Sequence, residues 1–235
     1  MNEYRNRVIK ISSSLDELCT TVMEMVSTRI HEEIARKGSF HLAMTGGIVG
    51  GLVCEKLISH WNAEPKKVLG LHIWWSDERF VEVGSSERNA HVLLTRLRSD
   101  SGIHIHHVLA SDSGVSLEVA ASRYAFDLAG IAMDLTLLGV GADGHVASLF
   151  PGATYLERAG DVTAVRNAPK SPPMRVSFSM EKINESTSVW LLASGISKRD
   201  AVAKILVGDT SIPATLAHGQ KETLLFVDRD SFASE

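Results

Sequence analysis

Asp134–His145, with the sequence DLTLLGVGADGH, joins the most apolar strand predicted in the chain to a glycine-rich turn. Leu135, Leu137 and Leu138 break the alternation of apolar and polar residues that a half-exposed strand would show. A continuous apolar run of this length is typical of a strand buried on both faces of a parallel sheet. The segment therefore predicts an α/β protein in which helices cover this strand on either side.

Apolar strands and amphipathic helices alternate on both sides of this segment. By this pattern, strands are predicted at 8–11, 40–44, 69–75, 103–109, 134–140, 188–193 and 223–227, and helices at 15–30, 47–60, 87–97, 115–128 and 197–207. The alternation favours a doubly wound, Rossmann-like α/β fold with a mostly parallel sheet and helices on both faces. We expect a single domain over residues 1–235, with one irregular connection at 167–173 that either borders the site or crosses the surface.

The composition argues against several classes of protein. The 24 Lys and Arg residues are outnumbered by 28 Asp and Glu residues, so a nucleic-acid partner is disfavoured. Only Cys19 and Cys54 are present, without CxxC spacing, so neither a disulfide framework nor a cysteine-bound zinc ion is expected. No apolar run approaches the ~20 residues that span a bilayer, and the amino-terminal residues lack the pattern of an export signal. We therefore expect a cytoplasmic protein.

Ligands of doubly wound sheets bind at the carboxyl ends of the strands, and polar residues follow several of these ends. Thr45-Gly46-Gly47 follows the second strand, where paired glycines are typical of either a phosphate-binding loop or a plain turn. Ser76-Asp77-Glu78-Arg79 follows the third strand, and Asn89 comes shortly after it. Arg79 can bind a phosphate or carboxylate through its forked guanidinium, although a surface cluster of salt bridges would have the same sequence.

The turn after the most apolar strand matches the pattern GxGxxG at 139–144. A dinucleotide-binding loop with this pattern should open a long helix, but Pro151 interrupts the chain too early. The remaining interpretation is a glycine-rich loop that presents Asp143 and His145, with His145 as a candidate general base. Neighbouring residues of a strand alternate faces, so His104, His106 and His107 do not favour a metal site.

Two more cations follow irregular segments. Arg175 comes after the prolines of the 167–173 connection, and Lys198 stands at the start of a predicted helix. A lysine in that position opposes the helix dipole unless an anion lies nearby. Both residues are therefore candidates for binding an anion, and an ordinary exposed lysine is the alternative for Lys198.

Taken together, these segments resemble the 6-phosphogluconolactonase family over nearly the whole chain. The residues that carry the resemblance are Thr45-Gly46-Gly47, Ser76-Asp77-Glu78-Arg79 with Asn89, the run 139–151, Pro172-Pro173-Met174-Arg175, and Gly195-Ile196-Ser197-Lys198. The resemblance implies hydrolysis of 6-phospho-D-glucono-1,5-lactone in the oxidative pentose phosphate pathway, with no required cofactor. It implies that His145 activates water, while Asp143 either orients the imidazole or forms the turn.

The expected substrate is thus a small phosphorylated sugar lactone. Arg79, Arg175 and Lys198 are the candidates for binding its phosphate. The oxyanion would be stabilised by loop amides around Gly46 or Gly141, or by a nearby cation. The full set of expected substrate-binding residues is Thr45, Gly46, Gly47, Asp77, Arg79, Asn89, Gly141, Arg175 and Lys198.

The sequence departs from the family pattern after the paired glycines. Ile48-Val49-Gly50 replaces a small polar residue followed by Thr-Pro, so these positions supply no hydroxyl group. The related glucosamine-6-phosphate deaminases carry a glutamate five residues after the histidine, where this chain has Phe150. A sugar-phosphate isomerase or deaminase, and a non-catalytic sugar-phosphate-binding domain, are the alternative functions.

Overall fold

A seven-stranded parallel sheet forms the centre of the protein, as the computed structural model of residues 7–153 and 160–232 shows. In spatial order its strands are β1 (Val8–Ser12), β10 (Glu222–Asp228), β9 (Ser188–Ala193), β6 (Leu135–Gly139), β2 (Phe40–Met44), β3 (Leu71–Trp75) and β5 (His104–Ile105). Every neighbouring pair is parallel. The apolar strand that opened the sequence analysis, β6, therefore lies in the middle of the sheet, as its composition predicts.

Helices cover both faces of this sheet, which confirms the doubly wound architecture. The helices are α1 (Leu15–Lys37), α2 (Gly47–Ala63), α3 (His91–Arg96), α4 (Leu117–Leu128), α5 (Met180–Asn184), α6 (Arg199–Val207) and α7 (Pro213–Leu216). On one face α1 and α2 pack against Trp190 and Phe226, and on the other α4 and α6 pack against Val189 and Leu191. Among the described residues, no helix is long and apolar enough to cross a membrane.

A second, smaller sheet was missed by the sequence analysis. It is antiparallel and consists of β4 (Asp77–Arg79), β8 (Arg175–Phe178) and β7 (Val162–Val165). These strands are short and two of them carry charged residues, so they lack the apolar pattern on which the prediction depends. The pairing places Arg79 directly opposite Arg175. Two cations that are 96 positions apart in the sequence are thereby joined in one sheet beside the main one.

Two predicted elements are shorter than expected. The strand predicted at 103–109 pairs only at His104–Ile105, after which the chain leaves the edge of the sheet. The helix predicted at 87–97 is reduced to His91–Arg96. Its expected first turn is instead a series of tight turns, in which the backbone N–H groups of Asn89 and Ala90 donate to the Glu78 carboxylate. A buried side chain therefore replaces the helical hydrogen bonds at these positions.

Candidate active site

A cleft of about 650 Å³ opens where β2, β3, β6 and β9 end, at the carboxyl edge of the main sheet. Ten residues of the predicted site line it: Thr45, Gly46, Gly47, Asp77, Arg79, Asn89, Gly141, His145, Arg175 and Lys198. Asp143 lies behind His145 and does not face the cleft. A groove of about 680 Å³ between α1 and α2 contains none of the predicted site residues.

The loop after β6 is a tight turn that presents His145. Gly141 and His145 close the turn, with the N–H of Gly141 donating to the His145 carbonyl at 2.9 Å. The N–H of Gly144 donates to the Gly141 carbonyl at 3.0 Å, and Gly144 has a φ of 82°, which favours glycine. No helix follows within the described part of this loop, whereas a dinucleotide-binding loop opens a long helix.

His145 and Asp143 form a hydrogen-bonded pair through Nδ1 of the imidazole and Oδ1 of the carboxylate. Gly141 leaves the space for it, since a Cβ atom at this position would lie 2.0 Å from Nδ1. A carboxylate accepts a hydrogen bond from a protonated Nδ1, which places the lone pair of the neutral ring on Nε2. Nε2 makes no hydrogen bond to the described part of the chain, and the side chain stays 15% exposed. This geometry suits a base that takes a proton from a molecule in the cleft.

Burial lowers the pKa of His145 below its ordinary value, while the hydrogen bond and charge of Asp143 act in the opposite direction. Phe150 contributes to this burial with its ring centroid 4.6 Å from that of the imidazole. Burial would raise the pKa of Asp143, but its hydrogen bonds with His145 outweigh that effect and lower it. At neutral pH the pair is therefore a neutral imidazole beside an ionised carboxylate.

Glu78 is completely buried and organises the segment that carries Asn89. Its carboxylate accepts the backbone N–H groups of Arg79 and Asn89 at 2.7 Å and of Ala90 at 3.0 Å. Burial raises the pKa of Glu78, against the charge of Arg88 at 3.7 Å. The sequence analysis assigned no function to Glu78, and the alternative for its motif was a surface cluster of salt bridges. Its complete burial excludes that alternative.

Asn89 is fixed against both the loop after β2 and the small sheet. Its Nδ2 group donates to the Asp77 carbonyl at 2.8 Å, and a Cβ atom at Gly46 would lie 2.0 Å from its Oδ1 atom. Asp77 is itself buried, with Oδ2 accepting the Ser148 hydroxyl at 2.6 Å and lying 3.7 Å from Nη1 of Arg175. These contacts join five segments of the chain around the cleft.

The loop after β2 contributes backbone amides to the cleft more than polar side chains. The Thr45 hydroxyl accepts the N–H of Gly139 at 3.2 Å and so joins the ends of β2 and β6. Gly46, at the N-cap of α2, supplies no side-chain cap for the first turn. Ile48 is exposed at the rim and Val49 lines the cleft, as expected from the departure noted in the sequence. The polar groups offered by this loop are thus amides at a helix amino terminus.

Four cationic side chains of the described residues line the cleft, and one of them was not predicted. Nη1 of Arg79 donates to the Glu87 carbonyl at 2.5 Å. Arg175 is buried and contacts the connection at 170–172. Lys198 lies where a 3-10 helix at Ile196–Lys198 meets α6. The fourth cation is Lys170, from the irregular connection at 167–173, which the structure places at the cleft.

The described residues contain no group of three or more His, Cys, Asp or Glu side chains that could hold a metal ion. His41, His72 and His104 instead stack across β2, β3 and β5, with ring centroids 4.5 and 4.7 Å apart. Burial lowers the pKa of His41 to about 4. His106 donates to or accepts from His72 at 3.1 Å. The row lies near the amino ends of these strands, away from the cleft.

The fold and cleft define a Rossmann-like α/β protein in which a histidine–carboxylate pair shares one polar cavity with several cations. The chain belongs to the family of glucosamine-6-phosphate isomerases/6-phosphogluconolactonase, whose model matches residues 13–226. This confirms the resemblance stated from the sequence motifs.

Several known proteins are similar to this chain over most of its length. A 6-phosphogluconolactonase of Streptomyces coelicolor is 36% identical over 222 residues, covering 86% of this chain and 84% of that protein. A 6-phosphogluconolactonase of Mycobacterium tuberculosis is 34% identical, and the match covers 96% of this chain and 97% of that protein. The crystal structure of a 6-phosphogluconolactonase from Thermotoga maritima is 28% identical, with a TM-score of 0.81 and coverage of 95% and 100%. A monomeric glucosamine-6-phosphate deaminase shares the fold at 19% identity and a TM-score of 0.79.

Proposed function

We propose that this protein hydrolyses 6-phospho-D-glucono-1,5-lactone to 6-phospho-D-gluconate. The observation that carries the proposal is the His145–Asp143 pair, whose Nε2 atom opens into a cleft lined by cations. The relatives at 34–36% identity, which are named 6-phosphogluconolactonases, support this choice of substrate. Because the reaction belongs to central carbohydrate metabolism, we also propose a cytoplasmic location. We further propose that residues 1–235 form a single catalytic domain.

In the proposed mechanism, His145 acts first as a base and then as an acid. A water molecule attacks C1 of the lactone while Nε2 takes its proton, and the C1 carbonyl oxygen becomes an oxyanion. The tetrahedral intermediate collapses, the bond between C1 and the ring oxygen breaks, and the imidazolium returns the proton to that oxygen. Asp143 holds the ring in the required tautomer and stabilises the imidazolium. No covalent intermediate is needed, and proton transfer of this kind contributes about 10²–10⁴ in rate.

The hydrogen bonds already present in the loops support one choice of oxyanion donors. The N–H of Gly141 is already bonded to the His145 carbonyl at 2.9 Å, so it is not free to bind the substrate. The first turn of α2, after Gly46, lines the cleft and has no side-chain cap. We therefore assign oxyanion stabilisation to the amides of this turn, with help from a neighbouring cation.

The position of Phe150 favours hydrolysis over deamination. Its ring packs against His145, where deamination would need a further proton-transferring group. Conversion of glucosamine 6-phosphate requires ring opening and isomerisation, and an apolar side chain can transfer no proton in these steps. A protein that only binds sugar phosphates would have no use for an imidazole oriented by a carboxylate.

A coupled assay tests the proposal. The lactone is generated in situ from glucose 6-phosphate by its dehydrogenase, and acid release is followed with and without the protein. We expect release well above spontaneous hydrolysis, and no ammonia from glucosamine 6-phosphate in a parallel reaction. Ammonia release would favour the deaminase, and inactivity in both reactions would favour a binding protein.

A further inference from the structure

Arg175 lines the cleft, but its guanidinium N–H groups contact other residues of the protein. Nε donates to the Pro172 carbonyl at 3.0 Å and Nη2 to the Lys170 carbonyl at 3.1 Å. Nη1 lies 3.7 Å from the buried carboxylate of Asp77, and the residue is only 5% exposed. A guanidinium held in this way fixes the backbone of the connection before β8, since both carbonyls accept from the same rigid group.

The connection that Arg175 holds carries Lys170 into the cleft, where Lys198 arrives from the end of β9. The ion pairs of the cleft among the described residues join His145 to Asp143 and Arg175 to Asp77, and neither includes a lysine. Burial and then the charge of Lys170 lower the pKa of Lys198, and Asp143 only partly opposes them. Two neighbouring ammonium groups without a carboxylate of their own repel each other until an anion binds between them.

We propose that Lys170 joins Lys198, which the sequence analysis already named, in binding the phosphate of the substrate. Arg175, expected from the sequence to bind the phosphate, is instead a positioning residue which places Lys170. This inference rests on the proposed function of the cleft. A phosphate monoester carries a charge of roughly −1.5 to −2, which two ammonium groups neutralise. Lys170 and Lys198 come from separate loops, so the phosphate also joins the two sides of the cleft.

The first test compares phosphorylated and unphosphorylated substrates. Lys170→Gln and Lys198→Gln should each raise KM for the phosphorylated lactone about tenfold, the usual effect of losing a charged hydrogen bond. The loss in kcat/KM should be about tenfold smaller for unphosphorylated glucono-1,5-lactone, which has no phosphate for these lysines to bind. Lys221→Gln removes the same charge just before β10, at the amino ends of the strands and so away from the cleft. This control variant should change kinetics on neither lactone. An equal loss on both lactones, or no loss on either, would overturn the role of Lys170.

The second test separates positioning from binding. Arg175→Lys should raise KM for the phosphorylated lactone as Lys170→Gln does, and the double variant should be no worse than Lys170→Gln alone. Additive effects would show that Arg175 contacts the phosphate itself and would refute its positioning role. Thermal unfolding checks that Arg175→Lys remains folded. If it does not, the Lys170→Gln and Lys198→Gln comparison still decides the phosphate site.

Binding measurements keep this inference distinct from the proposed function. Calorimetric titration with inorganic phosphate should show affinity reduced about tenfold in Lys170→Gln and unchanged in Lys221→Gln. This result is expected even if the wild-type protein hydrolyses neither lactone, in which case only the proposed reaction fails. Equal phosphate affinity in all variants, combined with normal hydrolysis by the wild-type protein, would remove Lys170 from the site and leave the reaction intact.

Discussion

Gly141→Ala tests whether the geometry of the His145–Asp143 pair limits turnover. The added Cβ atom would lie 2.0 Å from Nδ1 of His145 and 2.5 Å from Oδ1 of Asp143. Non-bonded heavy atoms approach to about 3.5 Å, so the imidazole must move by ~1.5 Å and the carboxylate by ~1 Å. A misplacement of ~1 Å at a reacting group costs about 10²-fold in rate. We therefore expect kcat to fall by about two orders of magnitude, through displacement of the His145–Asp143 pair.

The assay measures kcat and KM on the lactone generated in situ, with spontaneous hydrolysis subtracted. Gly51→Ala is the matched control, since nothing lies within 4 Å of its added Cβ atom and it does not line the cleft. Circular dichroism should show unchanged secondary structure in Gly141→Ala, because the residue lies outside the helices and strands. KM should change little, because the cations that bind the phosphate are untouched.

A folded Gly141→Ala variant with kcat within about threefold of the wild type would refute the reasoning. Such a result would mean that the loop accommodates a methyl group without separating the pair, or that His145 is not the base. His145→Ala distinguishes these explanations, since a loss of turnover in that variant alone would locate the error in the loop geometry.

Five other outcomes are expected. His145→Ala should lower kcat on the lactone by about 10²–10⁴ with a modest change in KM, as initial rates will show. Arg79→Ala should mainly raise KM in the same assay, because it removes a cation that would hold substrate and transition state alike. In a pH–rate profile, kcat/KM should be lost as pH falls through the His145 pKa, which burial places below 6.5. Asp143→Asn should move that fall to lower pH and reduce the plateau, because Asp143 raises this pKa. Gly51→Ala should increase the free energy of unfolding by about 0.5–1 kcal/mol in urea titrations, because alanine is favoured over glycine inside α2.

The main sheet could be predicted because its strands are buried on both faces. Leu137, Trp190 and Phe226 are all completely buried, and runs of such residues are recognisable without any knowledge of their partners. The small sheet could not be predicted in this way. Its strand β4 consists of Asp77, Glu78 and Arg79, whose burial depends on hydrogen bonds with distant segments. No local pattern encodes those contacts.

The same distinction applies to the cleft. His145 and Lys198 could be predicted because each follows a strand at the edge where ligands bind in this fold class. Lys170 follows no strand of the main sheet, and only the clustering of prolines around it suggested that its connection borders the site. Its place in the cleft depends on Arg175, which holds the Lys170 carbonyl at 3.1 Å. That contact is visible only in three dimensions.

The three charged residues of β4 explain how a polar run can follow an apolar strand inside the protein. Successive side chains of a strand point to opposite sides, so Asp77 and Arg79 line the cleft while Glu78 is directed away from it. Burying a carboxylate is costly unless its oxygens are satisfied, and Glu78 meets this condition with three backbone N–H groups. One side of β4 thus supplies groups to the cleft, and the other fixes the segment that carries Asn89. A Glu78 variant would therefore disturb the cleft without touching the substrate, through the displacement of Asn89 from Gly46.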